Sequence, residues 1–98
     1  WLGVEPQDLT ADLARALALE RVDGVLIRSV QRGGPADSAG IAPRDVVVEI
    51  AGKPTRDTPT LLARIAELKP GSTVKLVVVR ANAPVDVDVT VGKRPKVQ

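Results

Sequence analysis

The sequence has no histidine, no cysteine and a single aromatic side chain, that of Trp1. A Ser-His-Asp triad, a Cys-His pair and a zinc site of ordinary ligands are therefore excluded. Hydroxyl nucleophiles of the triad type are limited to Ser29, Ser38 and Ser72, which fall on a predicted strand surface, a short helix and a turn. We therefore predict that the chain has no catalytic residue, no metal site and no cofactor.

A large excess of charge of one sign is also missing. The 14 Lys and Arg residues nearly balance the 12 Asp and Glu residues, which leaves a net charge of +2. A nucleic-acid interface needs a basic face with aromatic side chains for stacking, so we predict no nucleic-acid partner. Asp86 and Asp88 alternate with valines and are interpreted as a solvated strand face. No apolar run approaches the roughly 18 residues of a membrane span, so no membrane contact is expected.

What the chain does have is aliphatic side chains in strand and helix patterns. The 98 residues are enough for one domain, and hydrophobic residues make up 44% of them. The predicted elements are, in chain order, a strand entered at residues 1–4, a helix at 9–19, a strand at 25–30, a one-turn helix at 36–39, a strand at 46–50, a helix at 58–68, and strands at 74–79 and 85–91. Thr10 and Thr58 are the predicted N-caps of the two longer helices. The pattern predicts an α+β fold, a partly open sandwich or barrel of five to six strands capped by two helices.

One stretch of about thirty residues, 24–54, carries a specific pattern. It reads Gly-Pro-Ala-Asp-Ser-Ala-Gly-Ile at 34–41, Asp-Val-Val-Val-Glu-Ile at 45–50 and Gly-Lys-Pro at 52–54. This pattern resembles the PDZ family, and specifically the bacterial HtrA/Deg protease branch. Gly40 suits a helix end with positive φ, whereas Arg44 stands where that family usually has glycine, which predicts a strained turn.

The first four residues, Trp1-Leu2-Gly3-Val4, resemble the Gly-Leu-Gly-Phe loop of PDZ domains and, more closely, the Tyr-Ile-Gly-Ile form of DegS-like envelope proteases. The resemblance implies that the backbone N–H groups of Leu2, Gly3 and Val4 hold the C-terminal carboxylate of a peptide. With this loop first and the 85–91 strand last, the element order resembles the circularly permuted bacterial form. It implies a single PDZ domain over residues 1–98 of a longer chain, itself without enzymatic activity, whose parent is a trypsin-like serine endopeptidase.

The resemblance also implies a binding groove. A ligand tail would add as a β-strand along residues 3–7, with the 58–68 helix as the opposite wall. The residues assigned to this groove and its pocket are Trp1, Leu2, Val4, Pro6, Thr58, Leu61, Leu62 and Ile65. Because the pocket side chains are aliphatic, we expect ligands that end in an apolar residue.

The groove assignment has alternatives at several positions. Core packing accounts equally well for about half of the apolar helix stripe, and Trp1 is either a frayed terminus or a lip over the pocket. Many animal PDZ domains have a histidine near the position of Thr58, and its absence here disfavours ligands with Ser or Thr two residues from the end. Pro6 removes an N–H where the strand would donate to the ligand, which predicts weak, roughly micromolar binding.

The implied function is to hold exposed C-terminal tails in the periplasm or cell envelope and to dock them to, or regulate, an HtrA/DegS-like serine endopeptidase. The implied partners are such tails and the upstream protease domain of the same chain, with the isolated domain monomeric. A second hypothesis is that the domain occludes a protease and its groove is secondary. A third is a PDZ domain from a carboxy-terminal processing protease, an intramembrane site-2 protease or a secretion component.

Overall fold

The fold was analysed in a computed structural model, which describes residues 1–21 and 23–93. The strands are β1 (Val4–Asp8), β2 (Val25–Val30), β3 (Val46–Ile50), β4 (Lys53–Pro54), β5 (Thr73–Arg80) and β6 (Ala83–Thr90), and the helices are α1 (Ala11–Ala16), α2 (Pro35–Ala39) and α3 (Thr58–Ala66). All strands are antiparallel and form one sheet in the order β1-β2-β3-β5-β6, with β4 paired to β3. The predicted mixed α+β fold is confirmed, with six strands and, counting the one-turn α2, three helices among the described residues.

Strand β6 shows how the sequence pattern produces the sheet. Val87, Val89 and the following Val91 are buried, whereas Asp86 and Asp88 are exposed, as the alternation predicts. These valines join the main core, which is built from Leu2, Val25, Ile27, Ala36, Ile41, Val47, Ile50, Leu61, Val74, Leu76, Val78, Val87, Val89 and Val91. A second cluster under α1 comprises Leu9, Ala14, Leu26, Val46 and Val79, with Leu13, Leu17, Leu19 and Val48 packed against it.

Helix α1 is shorter than the predicted helix at 9–19. It begins at Ala11 after Thr10, whose hydroxyl accepts the N–H of Leu13 at 3.1 Å, so the predicted cap is correct. It ends at Ala16, and Ala18 adopts a φ of 57°, which a right-handed helix does not allow. Leu17 and Leu19, which continue the helical spacing, pack against the second cluster from an irregular segment instead.

Helix α3 is capped one residue earlier than predicted. The N-cap is Asp57, whose carboxylate accepts the N–H of Thr60 at 2.9 Å, and Thr58 is the first helical residue. The backbone N–H of Thr58 instead donates to Asp8 Oδ1 at 2.6 Å. The prediction of Thr58 as N-cap was wrong because Asp57, an equally good capping residue, precedes it.

The turn between α2 and β3 has the predicted strain and a contact that the sequence pattern did not reveal. Gly40 and Arg44 both have positive φ, 93° and 78°. Asp45 is 2% exposed and accepts the N–H of Ala42 at 2.9 Å. Its carboxylate is also held by two guanidinium nitrogens of Arg80, at 2.6 and 2.9 Å, so the end of β5 fixes this turn.

Strand β1 lies at one edge of the sheet, where it pairs with β2. Pro6 does not end the strand, because β1 continues to Asp8 with a register shift between Glu5 and Pro6. An edge position is the place in a sheet where proline is tolerated. Among the described residues, no helix is both long and apolar enough to cross a membrane.

Candidate functional site

The first three carbonyl groups of the chain are each fixed by an amide from a different part of the molecule. The carbonyl of Trp1 accepts the N–H of Gly92 at 3.0 Å, beyond the end of β6. The carbonyl of Leu2 accepts the N–H of Ala36 in α2 at 2.9 Å. The carbonyl of Gly3 accepts the N–H of Gln31 at 2.8 Å, just after β2. Three consecutive peptide planes are therefore held in fixed orientations.

These anchors determine where the neighbouring amides point. The described peptide bonds are all trans, so the N–H of each plane points away from its anchored carbonyl. The N–H groups concerned are those of Leu2, Gly3 and Val4. Neither the N–H of Leu2 nor that of Gly3 donates to an acceptor within residues 1–21 and 23–93. The carbonyl of Gln31, across from Gly3, accepts the N–H of Gly34 instead. In a regular strand successive amides alternate in direction, but Gly3 has a φ of 75°, which breaks that alternation.

The register of β1 continues this set of outward groups along the free strand edge. Val4 faces Val30 next to the bonded Gly3 and Gln31, so its own N–H and carbonyl point away from β2. Pro6 faces Ile27, whose N–H and carbonyl both bond on the β3 side, to Asp45 and Arg44. Pro6 therefore directs its carbonyl, but no N–H, to the free edge. This is the position at which the sequence predicted a missing donor.

Helix α3 packs against β1, and the space between the free edge of β1 and α3 forms a slot. Few apolar groups of α3 are exposed in this slot. Leu62 is 50% exposed and is the exposed large hydrophobic residue of the described chain. Val4 and Ile65 are partly buried and pack against the main core. Leu61 has no exposed surface, which corrects its candidacy as a groove residue: it belongs to the core, as the alternative interpretation of the stripe held.

Leu2 behaves in the same way as Leu61. Its side chain is 2% exposed and fills the main core, so only its backbone amide is available at the surface. The apolar groups that a second molecule could contact in the slot are consequently those of Val4, Leu62 and Ile65. The predicted pocket is thus reduced to one strand residue and two helix residues.

The far end of the slot is closed by a direct bond between its two walls. Asp8, the last residue of β1, accepts the N–H of Thr58 at the start of α3. The hydroxyl of Thr58 is buried and has no hydrogen-bond partner within the described residues. The bond fixes the separation of strand and helix at this end, so the free edge spans about four residues between Gly3 and Asp8, roughly 13 Å.

The structure also shows where Trp1 lies. Its ring packs behind the loop, against the backbones of Gly3, Gly34 and Gly92. It is partly buried. Trp1 is therefore not a frayed terminus, which corrects that alternative, and its role as a lip over the pocket stays a prediction. The sequence offered no signal for this position because two of the three glycines are distant from Trp1 along the chain.

The serine and lysine that share a Ser-x-x-Lys spacing are both engaged in other contacts. The one Ser-x-x-Lys spacing of the sequence is Ser72 to Lys75, but the Ser72 hydroxyl donates to the carbonyl of Lys69 at 2.6 Å and Lys75 pairs with Asp86 at 3.2 Å. Over the part of the chain that the structure describes, no group of three or more acidic, His or Cys residues could hold a metal ion. What the site offers is a set of oriented backbone groups beside an apolar slot.

Comparison with known proteins identifies this arrangement with one family. The family model described as PDZ domain matches residues 1–91. A probable periplasmic serine endoprotease, DegP-like, from Rhizobium meliloti (strain 1021) is 38% identical over 95 residues, covering 97% of this chain and 19% of the relative. The chain therefore spans about a fifth of the length of that curated relative.

Two solved structures share the fold. The HtrA-type protease AlgW with a decapeptide matches at a TM-score of 0.92 and 35% identity, covering 98% of this chain and 30% of that one. AlgW with a tripeptide matches at a TM-score of 0.83 and 35% identity, covering 98% of this chain and 32% of that one. The similarity again falls on a portion of each longer protease.

Proposed function

Because the chain belongs to the PDZ family, and within it to the PDZ domains of HtrA/DegP-like periplasmic serine proteases, we propose that it captures the C-terminal carboxylate tails of other proteins. The observation that carries the proposal is the triple anchoring of the Trp1, Leu2 and Gly3 carbonyls, which turns the amides of Leu2, Gly3 and Val4 outward. Converging backbone N–H groups can bind a carboxylate without a cationic side chain. That relatives of the AlgW type bind peptides supports the same conclusion.

The bound tail would form one more antiparallel strand on the free edge of β1. Its last residue would lie opposite Val4 and direct an apolar side chain between Val4, Leu62 and Ile65. Its third residue from the end would lie opposite Pro6, whose carbonyl can accept one hydrogen bond but which can donate none. With one strand bond missing and the slot closed after about four residues, binding is weak, roughly micromolar, and reads short tails.

For the whole protein, the proposal follows the relatives. We propose that residues 1–98 are one domain of a longer periplasmic serine endoprotease, in which a trypsin-like domain lies upstream and tail binding docks substrates or regulates activity. The DegS-like branch remains a prediction, because the curated relatives are named DegP-like. The similarity to HtrA-type proteases favours this family over carboxy-terminal processing proteases, site-2 proteases and secretion components.

Carboxylate capture is tested with matched peptides. We expect a decapeptide ending in Val, Leu or Phe to bind the 98-residue chain by isothermal titration calorimetry, and its C-terminal amide to bind at least about tenfold more weakly, a difference of about 1.4 kcal/mol. Loss of the terminal charge removes the group that the three amides hold. Equal affinity for acid and amide would remove the basis of the proposal.

The regulatory part needs the full-length protease. Deleting this domain should change basal or peptide-stimulated proteolysis, because coupling requires that the tail site and the catalytic site share a free energy. A deletion that leaves both activities unchanged would reject a regulatory role. It would leave the tail-binding result unaffected.

A further inference from the structure

The indole of Trp1 lies against three glycines that come from three parts of the chain. A Cβ atom added at Gly3 would lie 3.3 Å from Cζ2 of the ring, one at Gly34 would lie 3.5 Å from Cη2, and one at Gly92 would lie 3.5 Å from Cε3. The ring therefore occupies the side of each backbone where any other residue would carry its side chain. Main chain from three segments therefore bounds the position of the ring.

These glycines belong to the segments that orient the proposed carboxylate-binding loop, residues 1–4. Gly3 is the residue whose left-handed conformation turns the loop. Gly34 precedes α2, whose Ala36 anchors the Leu2 carbonyl, and its own N–H occupies the Gln31 carbonyl at 3.0 Å. Gly92 donates to the carbonyl of Trp1 itself. The ring thus packs on the loop and on two of the segments that anchor it.

We propose that Trp1 is a positioning residue for carboxylate binding, its indole holding Gly3 in the conformation that presents the Leu2, Gly3 and Val4 amides. This inference rests on the proposed capture of C-terminal carboxylates. Glycine has the widest backbone freedom of any residue, so the φ of 75° at Gly3 needs an external constraint to persist. The ring adds to the constraint of the three carbonyl anchors, because it lies on the side of Gly3 where another residue would carry its Cβ atom.

Open space on two sides of the Trp1 ring makes the orientation of the loop depend on the contact between the ring and Gly3. The same indole lines one cavity of about 470 Å³, together with Pro35, Asp88 and Thr90, and a second of about 230 Å³, together with Glu5 and Ser29. Replacing the indole with a small side chain would enlarge the open space beside Gly3. The loop could then relax backwards and lose the orientation of its amides.

The test compares the same acid and amide peptides on three variants. Trp1→Ala is expected to lose about tenfold or more in affinity for the acid and little for the amide, so that the acid-to-amide ratio falls towards one. Trp1→Phe, which keeps a flat ring, is expected to retain most of the ratio. The matched control is Leu17→Ala, which truncates a partly buried side chain of the second cluster and should leave the ratio unchanged.

The ratio separates a positioning role from a general loss of stability, because a less stable domain that still binds would lose acid and amide binding together. A Trp1→Ala protein that keeps the full ratio would overturn the inference. A wild-type chain that does not distinguish acid from amide would instead reject carboxylate capture itself, so the two failures are distinguishable.

A fluorescence measurement decides the case if Trp1→Ala does not fold. The chain has no tyrosine and no other tryptophan, so its intrinsic emission comes from Trp1 alone. Titrating the wild-type chain with an acid peptide free of Trp and Tyr should shift the emission, with a midpoint that matches the calorimetric affinity, while the amide should not. Emission that stays constant up to saturation with the acid would overturn the inference.

Discussion

At the scale of single residues, backbone groups outweigh side chains in this site. The proposed ligand contacts are three amides, the carbonyls of Val4 and Pro6, and a small apolar surface. The side chains of Leu2 and Leu61 are consumed by the core. Specificity for the ligand sequence should accordingly be low. Affinity should respond most to changes that add or remove one backbone N–H or carbonyl group at the free edge of β1.

Pro6 gives the clearest residue-scale prediction. Pro6→Ala would restore an N–H at the free edge, opposite the third residue from the ligand end, and we expect apolar-ended acid peptides to bind about 2- to 12-fold more tightly, from a gain of about 0.5–1.5 kcal/mol. Calorimetry with the decapeptide used above measures this change. The control is Gln7→Ala, since the backbone N–H of Gln7 points towards β2 and not towards the free edge. Unchanged affinity in Pro6→Ala would mean that the tail does not pair with β1 in this register.

At the scale of secondary-structure elements, the groove depends on how α3 begins. Asp57 caps the helix, and hydrogen bonds from the Thr60 side chain and then from its backbone lower the pKa of the Asp57 carboxyl below its usual value. Asp8 bonds the first helical amide from the strand side. Two aspartates therefore meet the N-terminus of α3, where negative charge is favourable.

The cap predicts a pH dependence. A carboxyl whose pKa is lower in the folded chain stabilises the fold at pH values above its unfolded pKa, near 4, and this contribution is lost as the pH falls through the folded pKa. Asp57→Asn keeps a good cap that does not titrate. We therefore expect urea midpoints measured between about pH 6 and pH 2.5 to fall less in Asp57→Asn than in the wild type. Asp88→Asn, an exposed β6 variant, serves as the control, and an equal slope in Asp57→Asn and wild type would contradict the assignment.

The elements also show what sequence patterns can and cannot predict. The β6 alternation, the Thr10 cap and the positive φ of Gly40 are local and were predicted from neighbouring residues, whereas the strained turn at Arg44 was implied by the family resemblance. The contact of Asp8 with Thr58 joins residues 50 positions apart, and no local period contains it. Competition between adjacent capping residues explains the Thr58 error. The burial of Leu61 beside the exposed Leu62 required the actual rotation of α3 against the core.

At the scale of the whole molecule, one ion pair ties the end of β5 to the turn that precedes β3. Arg80 donates to Asp45 twice and to the carbonyl of Gly40 at 2.8 Å. Hydrogen bonding to Asp45, and then its charge, raise the pKa of Arg80 above its usual value. Since stability from a raised pKa is lost only as the pH rises through it, this pair is insensitive to pH across the neutral range.

Removing the arginine should therefore destabilise the fold at neutral pH. Arg80→Ala leaves the buried carboxylate of Asp45 with the Ala42 amide alone, and we expect a loss of about 2 kcal/mol in the free energy of unfolding. The figure is reduced from that of a fully buried pair because the Arg80 side chain is 43% exposed. Lys75→Ala, which breaks an exposed pair on the same strand, should cost less than about 1 kcal/mol. Equal losses in urea denaturation would show that burial of Asp45 does not matter.

The anchoring of the first three carbonyls has a consequence for protein engineering. Their donors, Gln31, Ala36 and Gly92, are contributed by the turn after β2, by α2 and by the segment that follows β6. A tetrapeptide copied from residues 1–4 onto another scaffold would bring the amides but none of these partners, so it should not transfer carboxylate recognition. Successful grafts would have to carry the surrounding framework with the loop, and redesign of ligand preference is better directed at Val4, Leu62 and Ile65.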